Sequence, residues 1–279
     1  MRFVILCLIM FSILNASDLT KGNHEYIKQN YNEARELYKN SCDENRYVAC
    51  YNLALLYQNG KSVKQDYNKA AKLYQKACDG GDVYNSCYNL ALLYAKGKGL
   101  KTDYIKASKL YLKACEGDVF RGCHNAAYLF EKGIGAVKQD YSKAISLYDK
   151  ACEGGLSQAC MNLGVLYKHG RGIEQNYKKA KILYEKACLD GVSISCYNLG
   201  LLYAKGLGVT KDIIKANKLY KIGCDGGFGN SCMNLGVSYY EGRGISKNKT
   251  TAKNLFKQAC SYGYEKACKY YEVLSKEGF

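Results

Sequence analysis

The chain has 279 residues, room for one large or two modest domains, and a formal net charge of +16. It holds no Pro and no Trp but 28 Tyr, 28 Gly and 15 Cys, which suits a helical chain that turns at Gly instead of Pro. The charge favours acidic surfaces as partners, and it equally keeps a Lys-rich surface soluble.

The first element in chain order is "MRFVILCLIMFSILNAS", in which one Arg precedes an apolar run from Phe3 to Leu14 and then Asn15, Ala16 and Ser17. This is the pattern of a secretory signal peptide over residues 1–17, cut near Ala16 or Ser17, with an apolar run too short to span a bilayer comfortably. Cys7 would leave with it. The mature chain then has an even number of cysteines, and an exported chain of that kind is expected to be oxidised. Export removes nucleic acid as a partner, and no later apolar segment is long enough to cross a membrane. The expected location is periplasmic or secreted. Residues 18–29 read as an N-terminal linker.

From residue 30 to 279 one unit is copied seven times. Its first cysteines are Cys42, Cys78, Cys115, Cys152, Cys188, Cys224 and Cys260, spaced by 36 or 37 residues. A period of that length is the signature of a stacked repeat. A second cysteine follows eight positions on at Cys50, Cys123, Cys160, Cys196, Cys232 and Cys268, while Cys87 follows Cys78 by nine. Upstream of each pair lies helix A, as in "DYNKAAKLYQKAC" (66–78). There Ala70, Leu73, Tyr74 and Ala77 form one apolar face and Asp66 is placed as N-cap.

Downstream lies helix B, as in "CYNLALLYAKGKG" (87–99), ended by a Gly such as Gly60, Gly97, Gly133, Gly170, Gly206 or Gly242 that suits the left-handed position after a helix. Connectors such as "GKGLKTD" contain G-x-G, but they open no strand-to-helix unit and read as turns, not phosphate loops. A hairpin joining A to B in about seven residues brings its two cysteines within bridging range. Seven local pairs are expected, from Cys42 with Cys50 to Cys260 with Cys268. Zinc is the alternative use of the thiols, though two per unit and three His in the chain make four-ligand sites hard to assemble. Neither a cofactor nor a metal is expected.

The pattern "KAAKLYQKACDGGD…SCYNLALLYAKGKGL" resembles the Sel1-like repeat, an α/α relative of the tetratricopeptide repeat. With a cysteine pair in each unit behind a signal peptide, the chain resembles the Helicobacter cysteine-rich protein family. The resemblance implies an all-α, right-handed α/α solenoid, secreted, with one disulfide per repeat. It also implies slow β-lactamase activity toward penicillin-like compounds, whereas Sel1-like repeats more broadly act as adaptors for other proteins. The machinery of a serine β-lactamase is not legible: the one S-x-x-K is Ser246 to Lys249, in a connector, and K-T-G is absent. His24, His124 and His169 are far apart in sequence.

Helix B is apolar around most of its circumference, and its polar interruption is an Asn in six units of seven: Asn52, Asn89, Asn125, Asn162, Asn198 and Asn234. In one reading each amide satisfies a backbone group in its own or the adjacent repeat. In the other the amides form a ladder along a concave groove with rungs roughly 10 Å apart. An extended chain advancing about 3.3 Å per residue would meet a rung at every third amide. A peptide, a peptidoglycan fragment or a β-lactam would each fit such a groove.

Overall fold

The computed structural model describes residues 18–81 and 83–279, and every helix in it follows the two-helix unit read from the sequence. The predicted signal peptide, residues 1–17 with Cys7, lies outside the described residues. No strand occurs among the described residues. They fall into two compact units divided after Asp140.

Unit 1 runs α1 (18–27), α2 (Tyr31–Asp43), α3 (Tyr47–Asn59), α4 (Tyr67–Gly80), α5 (Tyr84–Lys96), α6 (Tyr104–Glu116) and α7 (Phe120–Lys132). Unit 2 runs α8 (Tyr141–Glu153), α9 (Ser157–His169), α10 (Tyr177–Leu189), α11 (Ser193–Lys205), α12 (Ile213–Asp225), α13 (Gly229–Glu241), α14 (Lys249–Ser261) and α15 (Glu265–Lys276). From α2 onward the even-numbered helices are A helices and the odd-numbered ones B helices. Within each unit every helix packs on its neighbours in sequence.

Local chemistry sets the helix ends. Asp66, Asp103, Asn176, Asp212 and Asn248 each accept a hydrogen bond from the backbone N–H three residues on, at 2.8–2.9 Å, and so satisfy one of the free donors of an A helix. B helices end at glycines in the left-handed region, as at Gly97 with φ 63°. The next glycine of that connector, Gly99, has φ 67°, and a Cβ there would stand 2.5 Å from that of Tyr67. The G-x-G is therefore a turn pressed against the preceding A helix, as its repetition indicated.

The predicted face of helix A is the core. Ala70, Tyr74 and Ala77 are fully buried, as are Ala34, Ala144, Ala180, Ala216 and Ala252 at the place of Ala70 in other repeats. A ring recurs at the place of Tyr74: Tyr38, Tyr111, Tyr148, Tyr184, Tyr220 and Phe256 are all buried. Helix B buries two sides, with Cys87, Leu90, Ala91 and Leu93 all inaccessible in α5, because it lies between two A helices.

All seven bridges form as predicted, from Cys42–Cys50 and Cys78–Cys87 to Cys260–Cys268, with Cα separations of 4.6–4.9 Å. The thiols are thereby consumed, and the zinc alternative is closed. Neighbouring A helices are also tied by lysines: Lys76 Nζ donates to Cys42 O at 2.7 Å and Lys186 Nζ to Cys152 O at 2.8 Å. A cation at the carbonyl end of a helix is the favourable polarity.

The N-terminal linker is corrected. Residues 18–27 are helical, and α1 stands where a B helix would stand. Leu19 and Tyr26 pack on the core of the first repeat. Asn23 Oδ1 accepts from the Tyr38 hydroxyl at 2.9 Å and from Asn52 Nδ2 at 3.0 Å. Gly22 faces the Tyr38 ring as Gly164 faces that of Tyr184. Without α1 the apolar face of α2 would be open to water, which is why this polar-looking segment folds.

Candidate functional site

The structure places the asparagines beside the buried ring of their own repeat. Asn52 lies within hydrogen-bond reach of Tyr38, Asn89 of Tyr74, Asn125 of Tyr111 and Asn234 of Tyr220. Burial pushes these phenols up, Tyr38 and Tyr220 to about 12, and the amide partly offsets the rise. The seventh repeat has neither group: Phe256 replaces the tyrosine and Tyr270 the asparagine, and the two rings meet at 5.3 Å between centroids. Hydroxyl and amide are lost together, which ties the Asn to the Tyr. The sequence reading missed that pairing; the signal for it is the tyrosine that recurs one helix away in each of the first six repeats.

The amides are nonetheless only half covered. Asn52, Asn89, Asn125, Asn162 and Asn234 are half-buried, and Asn198 is buried. Around Asn198 the arrangement differs: its Oδ1 faces Lys168 Nζ at 3.4 Å, and the Tyr184 hydroxyl beside it is buried without a partner. Burial, and then the like charge of Lys205, hold the Lys168 ammonium below its ordinary pKa. In unit 1 the place of Lys168 is held by Glu131, buried and paired with Lys132 at 2.5 Å.

Each unit opens a cavity at this face. In unit 1 Asn23, Tyr26, Ile27, Tyr38, Asn52 and Leu55 surround about 280 Å³. In unit 2 a cavity of about 530 Å³ between α11, α12 and α13 is lined by Lys205, Lys211, Asn217, Tyr220, Asn234 and Arg243 among others.

The remaining candidates do not assemble. Ser246 is exposed, and Lys249 is held by Glu277 at 3.0 Å and lies over the Phe279 ring at 4.4 Å. His24 sits in α1, His124 in α7 and His169 at the end of α9. His124 Nδ1 is 3.3 Å from Asn125 Oδ1, and burial lowers its pKa. Among the described residues no group of three or more His, Cys, Asp or Glu could hold a metal ion, and no helix is long and apolar enough to cross a membrane. One recurrence escaped the sequence reading, a lysine in the first turn of helix A over the ring that ends the preceding helix B. Lys69 stacks on Tyr57, Lys106 on Tyr94, Lys179 on Tyr167 and Lys215 on Tyr203, at 4.2–5.3 Å.

The Sel1 repeat model matches seven segments, residues 20–45, 48–82, 85–119, 121–156, 157–192, 193–228 and 229–264. Each match from the second onward begins at a B helix and ends after the next A helix, so its boundaries fall in the bridged hairpin. Among solved structures the chain is similar to c5321, a protective antigen present in uropathogenic Escherichia coli strains displaying an SLR fold. The identity is 26% and the TM-score 0.86, over 95% of this chain and 57% of that one. It thus spans little more than half of that protein. A Sel1 repeat protein from Oxalobacter formigenes is 30% identical with TM-score 0.72, over 87% of this chain and 99% of its own. Helicobacter pylori cysteine rich protein B is 36% identical over 48% of this chain and 97% of its own, with TM-score 0.40. No curated protein matches the chain.

Proposed function

The chain belongs to the Sel1 repeat family, and from that premise we propose that it is an exported binding scaffold whose Asn-bearing face takes an extended, amide-rich ligand, a peptide segment above all. Seven disulfides fit a protein of an oxidising, extracytoplasmic compartment; secretion itself is part of this proposal. The carrying observation is the half-covered asparagine. An amide can make four hydrogen bonds, the buried tyrosine uses part of that capacity, and the cavities of about 280 and 530 Å³ lie against Asn52 and Asn234. The remaining donors and acceptors recur from repeat to repeat, which is the spacing an extended backbone can follow.

Selection of a displayed library of unstructured peptides on the full oxidised protein tests this. The reading expects binders that compete with one another and lose affinity in Asn234→Ala and Asn52→Ala. Binders indifferent to both substitutions, or no enrichment, would overturn it.

A second reading, slow β-lactam hydrolysis, follows from the resemblance to the cysteine-rich family. What favours it is Lys168, whose lowered pKa leaves more free amine for a general base than an ordinary lysine has. Chromogenic cephalosporin turnover by the oxidised protein, absent from the reduced and unfolded chain and diminished in Lys168→Gln, would support it. Turnover unchanged in that variant would remove Lys168 from the reaction.

A further inference from the structure

We propose that the solvent-facing sides of α10 and α12 in unit 2 form a docking surface for an anionic lipid bilayer. Four large aliphatic side chains stand out from them into water: Ile182 is 61% exposed, Leu189 87%, Ile214 59% and Ile222 51%. They are grouped, not scattered. Ile182 and Leu189 are seven residues apart on α10, and Ile214 and Ile222 eight apart on α12, so each pair lies along one side of its helix. Ile182 and Ile214 line one open cavity of about 790 Å³ between the two helices. None of the four lines the cavity that holds Asn234, so this face is separate from the one proposed for peptides and does not rest on that reading.

The same places in unit 1 show what the fold alone accepts. Asp79 and Lys113 form an ion pair at 3.7 Å between the A helices α4 and α6. The corresponding residues of α10 and α12 are Leu189 and Ile222. Both charges are gone together, and the aliphatics in their place remain exposed, so they do not serve by covering each other. The place of Leu189 holds Asp43, Asp79, Glu116, Glu153 and Asp225 in five other repeats, and that of Ile182 holds Lys72, Lys109 and Lys218 in three. Aliphatics grouped where the fold accepts charge mark a face that something apolar covers.

The charge around them identifies the occupant. α10 and α12 carry seven lysines and two acids, and both acids are already paired, Glu185 with Lys181 and Asp225 with Lys221, at 2.8 Å each. Lys178 and Lys218 have no ion pair among the described residues. A second copy of the chain would bring the same positive excess and be repelled. An acidic protein partner fits the charge but not the composition, because protein interfaces are enriched in aromatic residues and Arg and depleted of Lys. These two helices hold no Arg, Trp or Phe. Aliphatic tips among lysines suit a bilayer interface, where the apolar groups enter between headgroups and the ammonium groups meet the lipid phosphates.

The test is flotation of the full oxidised protein with two kinds of vesicle, phosphatidylcholine alone and phosphatidylcholine with phosphatidylglycerol in equal parts. Binding to the mixed vesicles is expected to be tenfold or more tighter, and high salt should weaken it. The fourfold variant Ile182→Ser, Leu189→Asp, Ile214→Asn, Ile222→Lys puts in each place a residue the chain already uses there, at Ser146, Asp79, Asn68 and Lys113, and leaves the net charge unchanged. It should lose tenfold or more in binding at an unchanged thermal midpoint. Lys178→Gln with Lys218→Gln, which keeps the aliphatics, should weaken binding to the mixed vesicles, and this pair decides the matter if the fourfold variant does not fold. Val48→Asn, which removes an exposed aliphatic from α3 in unit 1, should leave binding as it was.

A folded fourfold variant that binds as its parent does, equal binding to both kinds of vesicle, or no binding to either would overturn the proposal. Binding to poly-glutamate in place of vesicles would overturn it in favour of an acidic protein partner. A parent dimer that the fourfold variant dissociates, with no binding to vesicles, would make the face an interface between copies instead.

Discussion

Glu131 in unit 1 and Lys168 in unit 2 occupy the same place near the end of helix B, with opposite charge. Glu131 is buried, has its counter-ion in the adjacent Lys132, and helps hold a charge on His124 against the pull of burial. Lys168 has no carboxylate opposite and is crowded by Lys205. A second difference follows the same division. Two residues after the asparagine, unit 1 has Ala54, Ala91 and Ala127, and unit 2 has Gly164, Gly200 and Gly236, each glycine against the ring of the next A helix. The bridges, the caps and the buried rings are alike in both units. The caps, bridges and rings are thus copied, while the packing of helix B against those rings and the charge near its end differ between the units.

The largest expected effect tests the copied part. Replacing both cysteines of one bridge by Ala should cost about 2–3 kcal/mol in the loop-closure account, similarly for Cys78/Cys87 in unit 1 and Cys188/Cys196 in unit 2, because the loops are nearly equal. Denaturant titration of both variants reads it. A markedly unequal loss would break the equivalence of the units, as would non-reducing peptide maps with bridges between distant repeats.

Gly200→Ala sharpens the divergent part. The new Cβ would lie 2.7 Å from the Tyr220 ring, and overpacking of that degree costs about 1–3 kcal/mol. The mirror variant in unit 1, Ala54→Gly, should cost about 1 kcal/mol from helix propensity. Thermal midpoints of the pair read the contrast, and a neutral Gly200→Ala would show that unit 2 packs as loosely as unit 1 permits.

Asn89→Ala should cost about 1 kcal/mol, one hydrogen bond to the Tyr74 hydroxyl, which keeps its bond to Gln58 Oε1 at 3.0 Å. The effect should shrink in the Tyr74→Phe background, which imitates the seventh repeat. A double-mutant cycle measures the coupling; strict additivity would separate the two residues and free the asparagine for ligand alone.

The smallest effect is pH-dependent. Burial lowers the folded-state pKa of His124, so the unfolded chain takes up the proton first as pH falls through about 6.5, the ordinary value. Stability should therefore decline from about pH 6.5 downward until the folded-state pKa is reached. His124→Tyr, which installs the residue of Tyr51, Tyr88 and Tyr197, should flatten that limb. An unchanged profile would assign the acid sensitivity to another group.

Most of the fold was legible because a 36-residue period repeats the same physical demand seven times, so one helix pair, one cap and one bridge could be read once and carried along. The linker failed for the complementary reason. α1 lacks the cysteine by which the other units were aligned, so the period did not reach it, although the family model counts residues 20–45 as the first repeat; it covers the apolar face of α2. The site was half legible. The asparagines were found by their recurrence, but their tyrosine partners lie on another helix. The cations of unit 2 come from α9, α11 and two connectors, brought together only by stacking.

The position of the bridges relative to the family's repeat has a consequence for how such a chain changes length. The cysteines of the first six bridges fall on either side of a repeat boundary, the first near the end of one match and the second near the start of the next, and Cys268 of the seventh follows the last match. A block of one period, cut anywhere, therefore carries one cysteine of each kind. Duplicating or deleting that block at the level of the gene gives every first cysteine a new second cysteine eight or nine residues away. Such a chain can be lengthened or shortened by whole periods without leaving an odd thiol to cross-link it to its neighbours.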